Sequence, residues 1–185
     1  MRKLSIVAVA LVFGLVGCIS DDANYNVQLE RDMQAIENYL QENPIASVKE
    51  FKDDPTGLRI FWQELSESEI EPELGDTIFV NYTGKLLSNA VFDTSIESVA
   101  RENNIYDSSR PYQPLAFLFG YGQVILGFEF TISKMEEGDK ATTIFPSIFG
   151  YGTEERPSIP RNSPLIYEME LVRIGKIRTE DPENI

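Results

Sequence analysis

Histidine is absent from this chain, and cysteine occurs once, at Cys18. Without histidine there is no imidazole to act as general base, metal ligand or proton switch near neutral pH. A lone cysteine has no intramolecular disulfide partner. Basic residues are scarce, 16 against 30 acidic, and the formal charge is −14. That balance argues against nucleic acid, whose phosphates demand a basic face; the acidity reads as a solvated surface. Long apolar runs are limited to Leu4–Val16, too short for a membrane span of roughly 20 residues. Tryptophan also occurs once, at Trp62. Whatever chemistry the chain performs must run on few polar groups.

The short apolar run has a clear setting. Arg2 and Lys3 precede it, and Leu15-Val16-Gly17-Cys18 closes it. A positive start, an apolar stretch and a small residue at the end are the marks of an export signal. A small residue before a lone cysteine resembles a bacterial lipobox, in which the cysteine becomes the acylated N-terminus. The alternative is an ordinary secretory signal with an incidental cysteine. The residues behind Cys18, Ile19-Ser20-Asp21-Asp22, have no Asp at the second position, which in lipoproteins favours the outer membrane. Ser20-Asp21-Asp22 also resembles surface-export signals of Bacteroidetes lipoproteins, although a merely polar tether reads equally well.

Residues 1–17 are thus assigned to a signal peptide and 18–26 to a tether. Val27, Leu29, Met33, Ile36, Tyr39 and Leu40 recur at three- and four-residue steps, which predicts an amphipathic helix over residues 27–42. Asn26 is its expected N-cap and Pro44 marks its end. Its apolar face needs a partner, either the domain that follows or a second copy. Residues 27–56 form this N-terminal helical segment, 57–175 the main domain, and 176–185 a loose tail.

Within the main domain, alternating or apolar runs predict strands at 57–65, 77–86, 91–92, 114–119, 140–146 and 164–174. Residues 64–76 hold six acidic side chains and no basic one. They read as a loop, since their spacing departs from a calcium-loop pattern. A short helix is expected near 97–103 inside the segment 96–112. Val124, Ile125, Phe128, Ile132 and Met135 share one helical face, closed by Gly138. The implied class is α+β, a curled antiparallel sheet wrapped around one central helix and preceded by the N-terminal amphipathic helix. A twisted sheet over a helix leaves a cavity at its open side.

Six phrases stand in fixed order: Tyr82-Thr83-Gly84, Phe92-Asp93-Thr94-Ser95, Val124-Ile125-Leu126-Gly127, Tyr151-Gly152, Ile159-Pro160 and the final apolar strand. In that order they resemble the FKBP-type peptidyl-prolyl cis/trans isomerases over about residues 74–174. With the leader, the chain resembles a bacterial lipoprotein form, similar to gliding-motility-associated isomerases of Bacteroidetes. The resemblance implies catalytic roles for Tyr82, Phe92, Asp93 and Tyr151. Asp93 would be a buried carboxylate held by the tyrosine on the neighbouring strand, and Tyr151 would offer its hydroxyl to the substrate backbone. Leu115, Phe117, Val124, Ile125, Phe128, Ile159 and Tyr167 would bind substrate, with Phe128 as floor and the Ile125 N–H free for a carbonyl. No cofactor and no metal is implied. The implied partners are proline-containing polypeptides, a membrane reached through the lipid on Cys18, and an envelope protein held by the 96–113 insert. The implied location is the cell envelope, lipid-anchored at the outer membrane on its periplasmic or surface face.

Four departures from the family pattern stand out. The floor is Phe128 where tryptophan is usual. Leu115 is aliphatic where the most active relatives usually have an aromatic ring. The connection 96–113 is longer than usual. The 153–158 loop carries Glu154, Glu155 and Arg156. A weakly active or non-catalytic binding module is therefore the competing expectation.

Overall fold

The structure is a computed structural model that describes residues 21–176. Its elements run α1 (Asp21–Glu42), β1 (Lys49–Asp53), β2 (Leu58–Glu64), β3 (Thr77–Leu86), β4 (Val91–Thr94), α2 (Glu97–Glu102), β5 (Leu115–Leu118), α3 (Leu126–Ile132), β6 (Lys140–Phe145) and β7 (Leu165–Gly175). The strands form one antiparallel sheet in the order β1-β2-β6-β7-β3-β4. β5 pairs with the first half of β3, on residues 77–80. β4 pairs with its second half, on residues 83–85.

Alternation along each strand sorts side chains between two faces. Leu58, Ile60 and Trp62 of β2, Ala141 and Phe145 of β6, and Leu165, Tyr167, Met169 and Leu171 of β7 enter the main core. They pack with Phe128 and Ile132 of α3. Their neighbours Phe61, Ile144 and Ile166 point the other way and meet Ile36 of α1, with Tyr39 and Leu40 beside it. The sheet is therefore covered on both faces, α3 inside its curl and α1 outside. Ile36, Tyr39 and Leu40 of the α1 stripe thus find their partner in their own chain, while Val27 at its start stays exposed. Arg59 forms an ion pair with Glu37, and the Tyr39 hydroxyl donates to Asn89 Oδ1 at 2.6 Å.

Four expectations on element bounds are corrected. α1 begins at Asp21 at the latest, so residues 21–26 are helical where a tether was expected, and Asn26 is inside the helix. Apolar periodicity marks only the part of a helix that docks, and α1 continues past it. The 27–56 segment also holds a strand, β1, whose sequence Lys49-Glu50-Phe51-Lys52-Asp53 has one apolar residue; as an exposed edge it needs no more. α3 is shorter than the predicted 124–135, running from Leu126 to Ile132, and Ile125 enters it in extended backbone at φ −64° and ψ 150°. Of the predicted loose tail, Lys176 is fastened, donating to Glu71 O at 2.8 Å and Asp76 Oδ2 at 3.0 Å. Cys18, the leader and residues 177–185 lie outside the described residues.

Candidate active site

Two glycines show why the quoted phrases are spelled as they are. A Cβ on Gly84 would stand 2.5 Å from Phe92 Cζ and 3.0 Å from Tyr167 Cε1. The Phe92 ring therefore lies directly over Gly84, and Tyr-Thr-Gly needs its third residue bare. A Cβ on Gly127 would fall within 2.6 Å of three Phe145 ring atoms, so α3 rests on that ring through its glycine.

The β3–β4 ladder shifts register after the pair Gly84–Asp93, so that Lys85 meets Val91 and Phe92 is the extra residue of a bulge. Successive strand residues normally face opposite ways. Here both Phe92 and Asp93 line one cavity. The following Thr94 and Ser95 lock the bulge. Thr94 Oγ1 donates to Tyr82 O at 2.8 Å, and Ser95 Oγ accepts from Tyr82 N at 2.9 Å.

At the open end of the curl is a cavity of about 370 Å³. Of the expected residues, Tyr82, Asp93, Leu115, Val124, Ile125, Phe128, Tyr151 and Tyr167 line it, with Gly122 and Gln123. The walls are rings set edge to face. Phe128 lies 5.2 Å from Tyr167 at 89° and 5.8 Å from Tyr82 at 85°, centroid to centroid. Phe92 stands 5.7 Å from Tyr167 at 82°. Such geometry sets positive ring edges against negative faces and holds the rings in place. Phe92 and Ile159 border an adjoining cavity of about 270 Å³, which shares Asp93 and Tyr151 with the first. Phe117 does not line the site. It is 4% exposed and packs edge-on behind Phe128 at 6.0 Å. Its strand position turns it into the core, so the expected wall residue is a support for the floor.

Asp93 also differs from expectation. Its side chain is 36% exposed rather than buried. Tyr82 donates to its Oδ2 at 2.6 Å, and the Thr94 N–H to its Oδ1 at 2.9 Å. The third donor is Arg110, whose guanidinium pairs with Asp93 Oδ1 and donates to the Tyr82 hydroxyl at 3.0 Å. Arg110 was missed in the sequence because it belongs to the 96–113 insert, far from every quoted phrase. The insert is braced to deliver it. Tyr106 and Tyr112 stack at 5.5 Å and 15°, the Arg101 guanidinium caps Tyr106 at 3.5 Å, and the Asp107 N–H donates to the Tyr112 hydroxyl at 2.9 Å.

These partners fix the protonation of the site. Burial, then the neighbouring Asp93, pushes the Tyr82 phenol above its ordinary range. Burial, then the Tyr151 hydroxyl, does the same to Tyr167. Burial pulls the Arg110 guanidinium down, but Asp93 and Tyr82 outweigh it and leave it raised. Both phenols stay neutral donors, and the one carboxylate is bound on both oxygens. Acid–base catalysis has no free agent among these groups. On the rim, Ile125 O accepts from the Phe128 and Glu129 N–H groups, while the Ile125 N–H has no partner among the described residues.

Rings, one compensated carboxylate and a backbone N–H with no partner among the described residues thus stand together at one cavity of the antiparallel sheet. A sequence model described as FKBP-type peptidyl-prolyl cis-trans isomerase matches residues 68–172. The chain belongs to that family. The short-type peptidyl-prolyl cis-trans isomerase of Methanocaldococcus jannaschii is 42% identical over 81 residues, 44% of this chain and 51% of that protein. Peptidyl-prolyl cis-trans isomerase FKBP2 of Homo sapiens is 36% identical over 112 residues, 60% of this chain and 69% of that one. In fold, the crystal structure of FkpA from Escherichia coli aligns at a TM-score of 0.58 and 24% identity, over 83% of this chain and 64% of that one. The FKBP domains of wheat FKBP73 align at 0.54 and 27%, over 66% and 47%.

Proposed function

We propose that this chain is a peptidyl-prolyl cis/trans isomerase acting on proline-containing polypeptides. The observation that carries the reading is the aromatic cage of Tyr82, Phe92, Phe128 and Tyr167, with the Ile125 N–H at its rim, without a partner among the described residues. The barrier to X–Pro rotation, about 18–20 kcal/mol, is lost amide resonance. At the twisted midpoint the C–N double-bond character is gone and the amide is less charge-separated. A dry apolar cage disfavours the planar, dipolar ground state relative to the twisted one, which is differential binding rather than proton transfer. In this reading Phe128 is the floor under the proline ring, Tyr82 and Tyr167 its walls, and Phe92 its outer side. The Ile125 N–H and the Tyr151 hydroxyl donate to the substrate backbone. Asp93, neutralised by Arg110, puts no net charge beside the twisting amide. A protease-coupled assay over a panel of X–Pro tetrapeptides tests this. Turnover that equals buffer alone, and is indifferent to Tyr151→Phe, ends the enzyme reading.

Support for an envelope lipoprotein comes from the leader, with Leu15-Val16-Gly17 ahead of Cys18. In this reading the isomerase is anchored by lipid on Cys18 at the outer membrane and serves exported chains. Incorporation of labelled palmitate that disappears in Cys18→Ala tests the anchor; protease shaving of whole cells tests the face.

The braced insert favours a second reading, a binding module of an envelope machine in which residues 96–113 hold the partner. Partner capture that survives Phe92→Ala and Tyr151→Phe but is lost on deleting residues 96–112 would select it.

A further inference from the structure

We propose that Asp32, on the N-terminal helix and outside the matched family segment, is a positioning residue for Tyr151. In sequence Asp32 is a carboxylate on the apolar stripe of α1, one turn before Ile36. It is 3% exposed. A carboxylate so buried is retained only when donors surround it. Its Oδ1 accepts from Gln28 Nε2 at 2.7 Å. Its Oδ2 accepts both donors of Ser147, the N–H at 2.8 Å and the hydroxyl at 2.5 Å.

Ser147 is fully buried and opens the single 3₁₀ turn Ser147–Phe149 that leads to Tyr151. Its carbonyl accepts the N–H of Gly150 at 2.9 Å and of Gly152 at 2.8 Å. Those glycines flank Tyr151. The Gly152 carbonyl in turn accepts the Asn162 N–H at 2.7 Å, which closes the 153–161 loop. Gly150 and Gly152 contribute no side chain to hold this backbone, and the N–H of each is bonded to the Ser147 carbonyl. Two hydrogen-bonded steps thus join α1 to the backbone on either side of Tyr151, which lines the cavity. The site of this chain is completed by a helix that the family segment lacks.

The inference rests on the reading of Tyr151 as a substrate donor, and the experiment separates the two. The full chain carrying Asp32→Asn is assayed alone and with Tyr151→Phe, with folding followed by Trp62 fluorescence. Asp32→Asn is expected to lower kcat/KM about 5–10-fold, as small misplacements of catalytic groups do. In the Tyr151→Phe background the same change is expected to lower it less than about twofold, the non-additivity of residues acting as a unit. Effects that multiply, or kcat/KM unchanged by Asp32→Asn in folded protein, overturn the proposal. If Asp32→Asn does not fold, Ser147→Ala, which keeps the backbone bond, takes its place in the same cycle. A second readout is independent of turnover. In protein with ¹³C-labelled tyrosine, Asp32→Asn is expected to move the Tyr151 ring resonance and leave those of Tyr106 and Tyr112. An unmoved Tyr151 resonance sinks the positioning role even where wild-type turnover is nil, an outcome that would count against the isomerase reading alone.

Discussion

Removing one hydroxyl, by Tyr82→Phe, separates the structural from the chemical part of the site. The Tyr82 ring is buried, and its hydroxyl is at once donor to Asp93 Oδ2 at 2.6 Å and acceptor from Arg110 Nη2 at 3.0 Å. A hydrogen bond to a charged group contributes about 1.5–3 kcal/mol. The figure here belongs at the low end, because the Asp93 and Arg110 side chains are 36% and 38% exposed and water replaces the lost partner on both. Tyr82→Phe should therefore destabilise the fold by about 1–1.5 kcal/mol. Arg110→Ala should do less, about 0–1 kcal/mol, as exposed ion pairs do. Urea unfolding followed by Trp62 fluorescence measures both. Trp62 suits the purpose because it is core, 1% exposed and bonded to Asp139 Oδ2 at 3.0 Å, away from the cavity. The Tyr82 hydroxyl points at Asp93 and leaves the ring in the wall. Its removal should therefore change kcat/KM for an X–Pro tetrapeptide less than about threefold, whereas Tyr151→Phe should lower it about tenfold. An Arg110→Ala loss equal to that of Tyr82→Phe refutes the ranking by burial. A tenfold fall in kcat/KM for Tyr82→Phe refutes the assignment of its hydroxyl to structure.

Three other outcomes follow from the same geometry. Tyr82 and Tyr167 have phenols raised above the unfolded value, so their contribution is fully present below the unfolded pKa near 10 and is lost as pH climbs past it. With no histidine to titrate, unfolding free energy should be nearly flat from pH 6 to 9. It should then fall by up to about 2.7 kcal/mol per pH unit for two phenols; a flat profile through pH 11 contradicts this. Gly84→Ala sets a Cβ 2.5 Å from the Phe92 ring and must push it off the cavity. A stability loss of about 1–3 kcal/mol is expected, with a larger relative loss of kcat/KM, read by urea melts and the tetrapeptide assay. Gly127→Ala lifts α3 off Phe145 and should destabilise by a similar amount; a variant as stable as the parent in the same melts would contradict that contact.

The two periods of the chain carried most of the fold. β3 was legible at 77–86 because Ile78, Val80 and Tyr82 alternate into the core before the polar Ser88-Asn89 ends the run, and Ile36, Tyr39 and Leu40 marked the docked part of α1. β1 was not, since an edge strand with one apolar residue leaves no period to read. In the site, eight of the eleven candidate residues line one cavity, all but Leu115 drawn from a quoted phrase or the position next to one. Phe92 and Ile159 border the cavity beside it. Phe117 was misread because a strand sequence names two faces without saying which one meets solvent. Arg110 and Asp32 were invisible for a different reason. Each acts 17 or more residues from its partner, through a contact that only folding creates.

The same distinction bears on what the site is. The phrases define rings and turns, which suffice for a dry cage. They do not define its charge. Asp93 alone would leave one negative group at the edge of an apolar cavity, favouring a cation there and solvating the entrance. Arg110 removes that bias, and it comes from the segment by which this chain departs from its family pattern. The insert is thus part of the electrostatics of the cage as well as a surface feature. Deleting residues 96–112 must change the pocket along with any partner surface of the insert. Arg110→Ala, which removes one contact to Tyr112 but keeps the Tyr106–Tyr112 stack, the Arg101 cap and the Asp107 bond, is the sharper tool. A partner lost by the deletion and kept by Arg110→Ala is held by the insert surface; one lost by both is held through the pocket.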